Sequence, residues 1–197
     1  MISIAEAIDA IMSRVRPTGT ERVALHAAAG RVLAAELAVR EDVPGFDNSA
    51  MDGYAVRAAD VASVPVELPV RGESRAGGPA PGALEAGAAM RIFTGAPLPP
   101  GADAIVIQED TDRDGDAVVV RESSAVGKHV RRRAEVLAEG APLMAPGARI
   151  EAGEIGVLAS QGYAFLPVAR RPRVAILSTG DELRELGEAP RPGSLVD

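Results

Sequence analysis

Apolar residues recur along this chain in two rhythms. Near the N-terminus Ile4, Ile8, Ile11, Met12 and Val15 fall three or four apart, the spacing of one helical face. Ser3 and Glu6 frame the start as a capping box, the serine capping and the glutamate reaching back to its amide. Pro17 and Gly19 end that helix. Residues 20–25 alternate like a short strand, residues 27–35 are alanine-rich and predict a short helix broken near Gly30, and residues 37–39 read as extended. From Tyr54 the rhythm shortens. Residues 54–56, 90–93, 104–107 and 117–120 are brief apolar runs bounded by turn formers. Residues 64–70 carry two prolines among Val and Leu, which predicts an edge strand. After Gly140 the longer period returns, with a helix over 151–160 and a strand over 164–168. Residues 174–177 form a continuous apolar run, the mark of a strand buried on both faces.

These rhythms predict a mixed α/β domain built from residues 1–43 and 137–170, interrupted by an inserted all-β domain, a small barrel or sandwich, over 44–136. Residues 171–197 would begin a further α/β domain. The N-terminal stretch is too small to bury a core alone and needs the later segment as its partner. The strand at 174–177 has no sheet neighbour in the sequence, so the chain is expected to be a fragment cut just inside its third domain.

Composition narrows the function classes. The chain of 197 residues carries a net charge of -7, so bulk attraction to nucleic acid or to an anionic membrane is not expected. Aromatics are 3% and Trp is absent, which leaves little material for stacking on bases. No apolar run approaches the roughly 20 residues of a membrane span. With no cysteine, disulfides, thiolate metal sites and cysteine nucleophiles are excluded, and a cytoplasmic, reducing home is permitted. His26 and His129 lack zinc-ligand spacing, and no nucleophile elbow or phosphate loop is present.

Polar chemistry concentrates in five places. The first is Pro44-Gly45-Phe46-Asp47-Asn48-Ser49-Ala50-Met51-Asp52-Gly53, a turn-rich loop that runs into the strand at 54–56. Phe46 and Met51 among its polar residues predict that this loop packs against something. The second is Arg91-Ile92-Phe93-Thr94-Gly95-Ala96-Pro97, a strand ending in a hydroxyl and a free amide, which on its own reads as a strand-end turn. Residues 101–109 read as a turn and a buried strand, with Glu109 a lesser candidate. Lys128-His129-Val130-Arg131-Arg132-Arg133 is either a solvated charge run or a clamp for an oxyanion, which guanidinium matches bidentately. Ser178-Thr179-Gly180-Asp181-Glu182 follows the apolar run at 174–177. Its two acids suit either a hard cation or a helix N-cap.

Residues 42–56 resemble the signature of the MoeA family, the molybdopterin molybdenumtransferases, to which the gephyrin E domain is also related. Residues 91–99, 101–109, 127–133 and 178–183 resemble further motifs of that family. The resemblance implies the inserted β domain and a third, molybdopterin-binding catalytic domain. It implies insertion of molybdenum from molybdate into adenylylated molybdopterin, with release of AMP and dependence on Mg²⁺. By resemblance Asp52, Thr94 and Glu182 are the catalytic residues. Asp47, Ser49, Arg131, Arg132, Arg133, Ser178, Thr179 and Gly180 would contact substrate, and Asp181 with Glu182 would hold the metal. A cytoplasmic homodimer with a site shared between subunits is implied, with the molybdopterin adenylyltransferase as a further partner. The fragment alone is expected to be inactive. The sequence departs from the pattern after the basic run, where the family carries Gly-Glu-Asp and this chain has Ala134, Glu135 and Val136. The other class of function is a non-catalytic scaffold of the gephyrin E-domain type.

Overall fold

The computed structural model describes residues 2–197. Helix α1 spans Ile4–Met12, and strands β1 (Thr20–Ala24), β2 (Leu37–Ala38), β3 (Asn48–Ser49), β4 (Gly53–Val56) and β5 (Val66–Ser74) follow. Then come β6 (Ala89–Ile92), β7 (Ala104–Ile107), β8 (Thr111–Asp114), β9 (Ala117–Val120), β10 (Val130–Arg131) and β11 (Pro142–Met144). Helix α2 (Ala152–Ser160), β12 (Phe165–Ala169), β13 (Leu183–Arg184) and β14 (Leu195–Val196) complete the chain.

The capping box of α1 is formed: the Glu6 amide donates to the Ser3 hydroxyl at 3.2 Å and the Ser3 amide to the Glu6 carboxylate at 2.7 Å. None of its residues is buried, so the Ile4–Ile8–Ile11 stripe faces solvent. Beyond it, early and late segments interlock. Strand β1 pairs antiparallel with β12, from Thr20 opposite Ala169 to Ala24 opposite Phe165, and β2 pairs with β11. Leu33, Leu37, Ile150, Leu158, Leu166 and Val168 close one core between them.

The helix expected over 27–35 does not form; only a 3₁₀ turn at Leu25–Ala27 is helical there. Gly30, at φ +72, turns the chain, and the residues after it run extended between two neighbours. The Leu33 amide donates to Ala148 and the Ala34 amide to Pro167, while Leu33 is buried. These long-range bonds and the burial of Leu33 outweigh alanine's helix preference.

The second body is a six-stranded sheet in the order β7-β4-β6-β5-β9-β8. Alternation sends Tyr54, Val56 and Val106 to one face and Ala55 and Ile105 to the other, and each face has its own core. Strand β5, expected at an edge, is interior in this order. Its first half, Val66–Pro69, pairs with β9 and its second half with β6, where the register shifts between Val70 and Glu73. Pro69 therefore has a strand on one side only, which is how a proline is tolerated there.

Two antiparallel connections join the bodies. The Val43 amide donates to Leu137, that of Val136 to Val43 and that of Ala134 to Pro44. At the C-terminal end, Val174, Ile176 and Leu177 are exposed and no strand forms over 174–177. An apolar run becomes a buried strand only with neighbours to pair with, and the described residues offer it none. Among the described residues no helix is long and apolar enough to cross a membrane.

Candidate functional site

The site is set by two loops zipped together. The Ser49 amide donates to Ala96 at 3.0 Å, and the Gly95 amide returns a bond to Ser49 at 2.8 Å. Gly95 sits at φ +78, where a side chain would be strained. At the start of β4, Gly53 lies so close to β7 that a Cβ would stand 2.0 Å from the Val106 carbonyl oxygen, so this position needs glycine. The residue just before it, Asp52, is held from both sides. Its carbonyl accepts the Gln108 amide at 3.0 Å. Its Oδ1 accepts both the Thr94 amide at 2.8 Å and the Thr94 hydroxyl at 2.7 Å.

These bonds favour the charged form of Asp52. The Thr94 amide, then its hydroxyl, and then the nearby positive charge of Arg91 hold the carboxyl below the usual range. Asp52 is exposed and ionised at neutral pH, and its Oδ2 makes no hydrogen bond among the described residues. Such an oxygen can accept a proton or meet a cation.

The other candidates of this loop serve different ends. Ser49 is fully buried; its hydroxyl donates to the Met51 carbonyl and accepts the Met51 amide, so it shapes the turn. Asp47 accepts Arg132 Nη1 at 2.6 Å and the Arg133 amide at 2.8 Å. The Arg133 amide and then Arg132 keep its carboxyl low. Arg133 also pairs with Asp42, whose other oxygen takes the Glu139 amide at 2.8 Å. The basic run therefore spends Arg132 and Arg133 on an acid–base lattice across the connections. Among its arginines Arg131 alone is without an ion pair among the described residues. Arg131 lies on β10, opposite Asn48 of β3. Ala134 stands at φ +62, and Val136 is exposed. Phe46 and Met51, expected to pack, are 49% and 40% exposed, because the loop is held by backbone and carboxylate bonds and not by those side chains.

The C-terminal candidates lie elsewhere. Ser178 and Gly180 line a hollow of about 220 Å³ with Arg184, Glu185, Glu188 and Arg191. Glu182 turns its carboxylate back on Gly180, and β13 pairs only with β14. Thr179 and Asp181 are exposed in the same segment, as is Glu109 after β7. Among the described residues nothing brings Glu182 to Asp52 or Thr94, and no three His, Asp or Glu side chains converge.

Sequence reasoning overlooked Arg91 and Gln108. Arg91 Nη1 donates to the Gly53 carbonyl at 3.2 Å and Nη2 to Gln108 Oε1 at 2.9 Å. Its guanidinium stacks 5.1 Å from the Tyr54 ring centre and 4.8 Å from that of Phe93. A signal existed: a charged residue inside the otherwise apolar run 89–92 must reach something polar.

Residues 2–162 match the family model described as the MoeA N-terminal region, domains I and II. A molybdopterin molybdenumtransferase of Nostoc sp. is 44% identical over 182 residues, covering 90% of this chain and 42% of the relative. Molybdopterin molybdenumtransferase 2 of Mycobacterium tuberculosis is 39% identical over 201 residues, covering 100% of this chain and 50% of that one. The crystal structure of the molybdopterin biosynthesis MoeA protein of Pyrococcus horikoshii OT3 superposes with a TM-score of 0.89 at 32% identity, covering 98% of this chain and 52% of that one. The chain spans about half the length of the curated relatives it matches.

Proposed function

This chain belongs to the MoeA N-terminal family, and from that premise we propose that it supplies one half of a molybdopterin molybdenumtransferase site in molybdenum cofactor biosynthesis. The observation that carries this reading is the double hold of Thr94 on Asp52, which joins two family-like motifs into one ionised carboxylate. The substrates are molybdate and adenylylated molybdopterin, and AMP is the leaving product. Asp52 presents Oδ2 as the base or the cation-facing oxygen. Thr94 fixes its orientation, and Arg91 anchors the turn from behind.

The Mg²⁺ that such a reaction calls for does not find a complete site in this chain. Asp52 offers one oxygen, while Asp181 and Glu182 do not reach it. We place Glu182 opposite Asp52 only when a second subunit or further residues bring it there, so the 197-residue chain alone should not turn over. A homodimer supplies that second subunit, and the exposed apolar stripe of α1 is the surface offered for the contact. The adenylyltransferase that makes the adenylylated substrate is the expected cytoplasmic partner.

The test joins residues 1–197 to the remaining half of the Nostoc relative and follows molybdate-dependent release of AMP. Turnover lost in Asp52→Asn from a variant that still folds and melts cooperatively within a few degrees of the parent supports the reading. Full turnover in that variant overturns it.

A further inference from the structure

Next to the Asp52 turn lies an open cleft of about 370 Å³ walled by Tyr54, Arg91, Gln108, Thr111 and Arg113. That volume is in the range of small-molecule sites, roughly 300–1,000 Å³. Its walls are built from donors. Arg91 is fixed by its bonds to Gly53 and Gln108 and by its two aromatic neighbours, so its guanidinium is already oriented. Because Gln108 spends Oε1 on Arg91, its amide nitrogen is the end left to donate. Arg113 is steered by a bond from Nε to the Gly115 carbonyl at 3.1 Å, and both its Nη atoms are without a partner among the described residues. The Tyr54 ring is buried, but its hydroxyl makes no hydrogen bond among the described residues.

The acids of β8 are turned away. Thr111 and Arg113 share one face of β8, and alternation sends Asp112 and Asp114 to the other, where Asp112 pairs with Arg121. Two guanidiniums, an amide and a phenol thus converge with no carboxylate lining the cleft.

We infer that this cleft binds a tetrahedral oxyanion of the phosphate class. Planar guanidinium forks match such oxygens two at a time. The inference stands on the cleft alone and does not depend on the transfer reaction. Two sources share the chemistry, a free oxyanion and the phosphoryl group of an organic phosphomonoester.

The test records amide chemical shifts of the 197-residue chain during titration with inorganic phosphate and, separately, with phenyl phosphate. Saturable shifts at Gln108, Thr111 and Arg113, weakened by added salt, are expected. Arg113→Ala, at an exposed position, should weaken binding about tenfold. Arg14→Ala, which removes the same charge from the far end of the chain, should not change it. Tighter binding of phenyl phosphate assigns the site to a phosphomonoester, and equal binding assigns it to a free oxyanion. Shifts confined to residues 128–133, or equal loss in Arg14→Ala and Arg113→Ala, would overturn the inference.

Discussion

Thr94 grips Asp52 through a single oxygen: its amide and its hydroxyl both end on Oδ1, at 2.8 and 2.7 Å. Oδ2 makes no hydrogen bond among the described residues. The residues are 42 positions apart, and the paired strands β4 and β6 carry them together.

Thr94→Val keeps the amide bond and removes the hydroxyl bond. The carboxyl of Asp52 should then titrate closer to the ordinary aspartate value, as read by its side-chain carbon signal during acid titration. In the chimera with the Nostoc half, AMP release should fall about tenfold, the size of one lost charge-assisted bond. An unmoved titration would show that the hydroxyl does not hold Asp52.

Asp42 and Asp47 set the acid limit of the connections between the two bodies. The Glu139 amide and then Arg133 lower the first carboxyl; the Arg133 amide and then Arg132 lower the second. A carboxyl depressed in the folded state stabilises it above the unfolded value, and that contribution is lost as pH falls through the folded value. The melting temperature should therefore be flat near neutrality and drop below about pH 4. Asp47→Asn should lower it at pH 7 and flatten the acid drop; parallel curves for variant and parent would contradict this.

Ala134 occupies φ +62, where its Cβ costs roughly 1–2 kcal/mol. Ala134→Gly relieves that strain but loosens the unfolded chain by about 0.4–1 kcal/mol. The strain term is the larger, so the variant should gain about 0.5–1 kcal/mol, a rise of roughly 1–4 °C in melting temperature. A fall would mean that the left-handed turn is not strained.

Much of this fold was legible because its signals are local. The capping box at Ser3 and Glu6 forms, and apolar runs become strands at 104–107 and 117–120, because turn formers punctuate both sides. The misses share a cause. Strands β3 and β10 are two residues each and exist only because they pair across the chain. The extended path of Leu33 is likewise imposed by distant neighbours. At the site, Asp52 and Thr94 stood out through their motifs, but their contact did not. The lattice of Asp47 with Arg132 was equally invisible, and it gives a structural task to arginines that the sequence offered as an oxyanion clamp.

The stripe on α1 should matter for assembly. Ile8→Asp together with Ile11→Asp places charge on an exposed apolar face, so folding should be unaffected while a dimer dissociates. Light scattering should show the parent at twice the mass of the variant. Equal masses would remove α1 from the interface.

Asp52→Asn preserves the shape of the side chain and removes its charge, so in the chimera it separates chemistry from folding. Molybdate-dependent AMP release should drop about a hundredfold or more, the scale of a lost acid–base group, while the melting temperature falls by only a few degrees, the cost of weakening the two Thr94 bonds to a charge. Release at the parent's rate from the folded variant would contradict the assignment of Asp52 to the reacting centre.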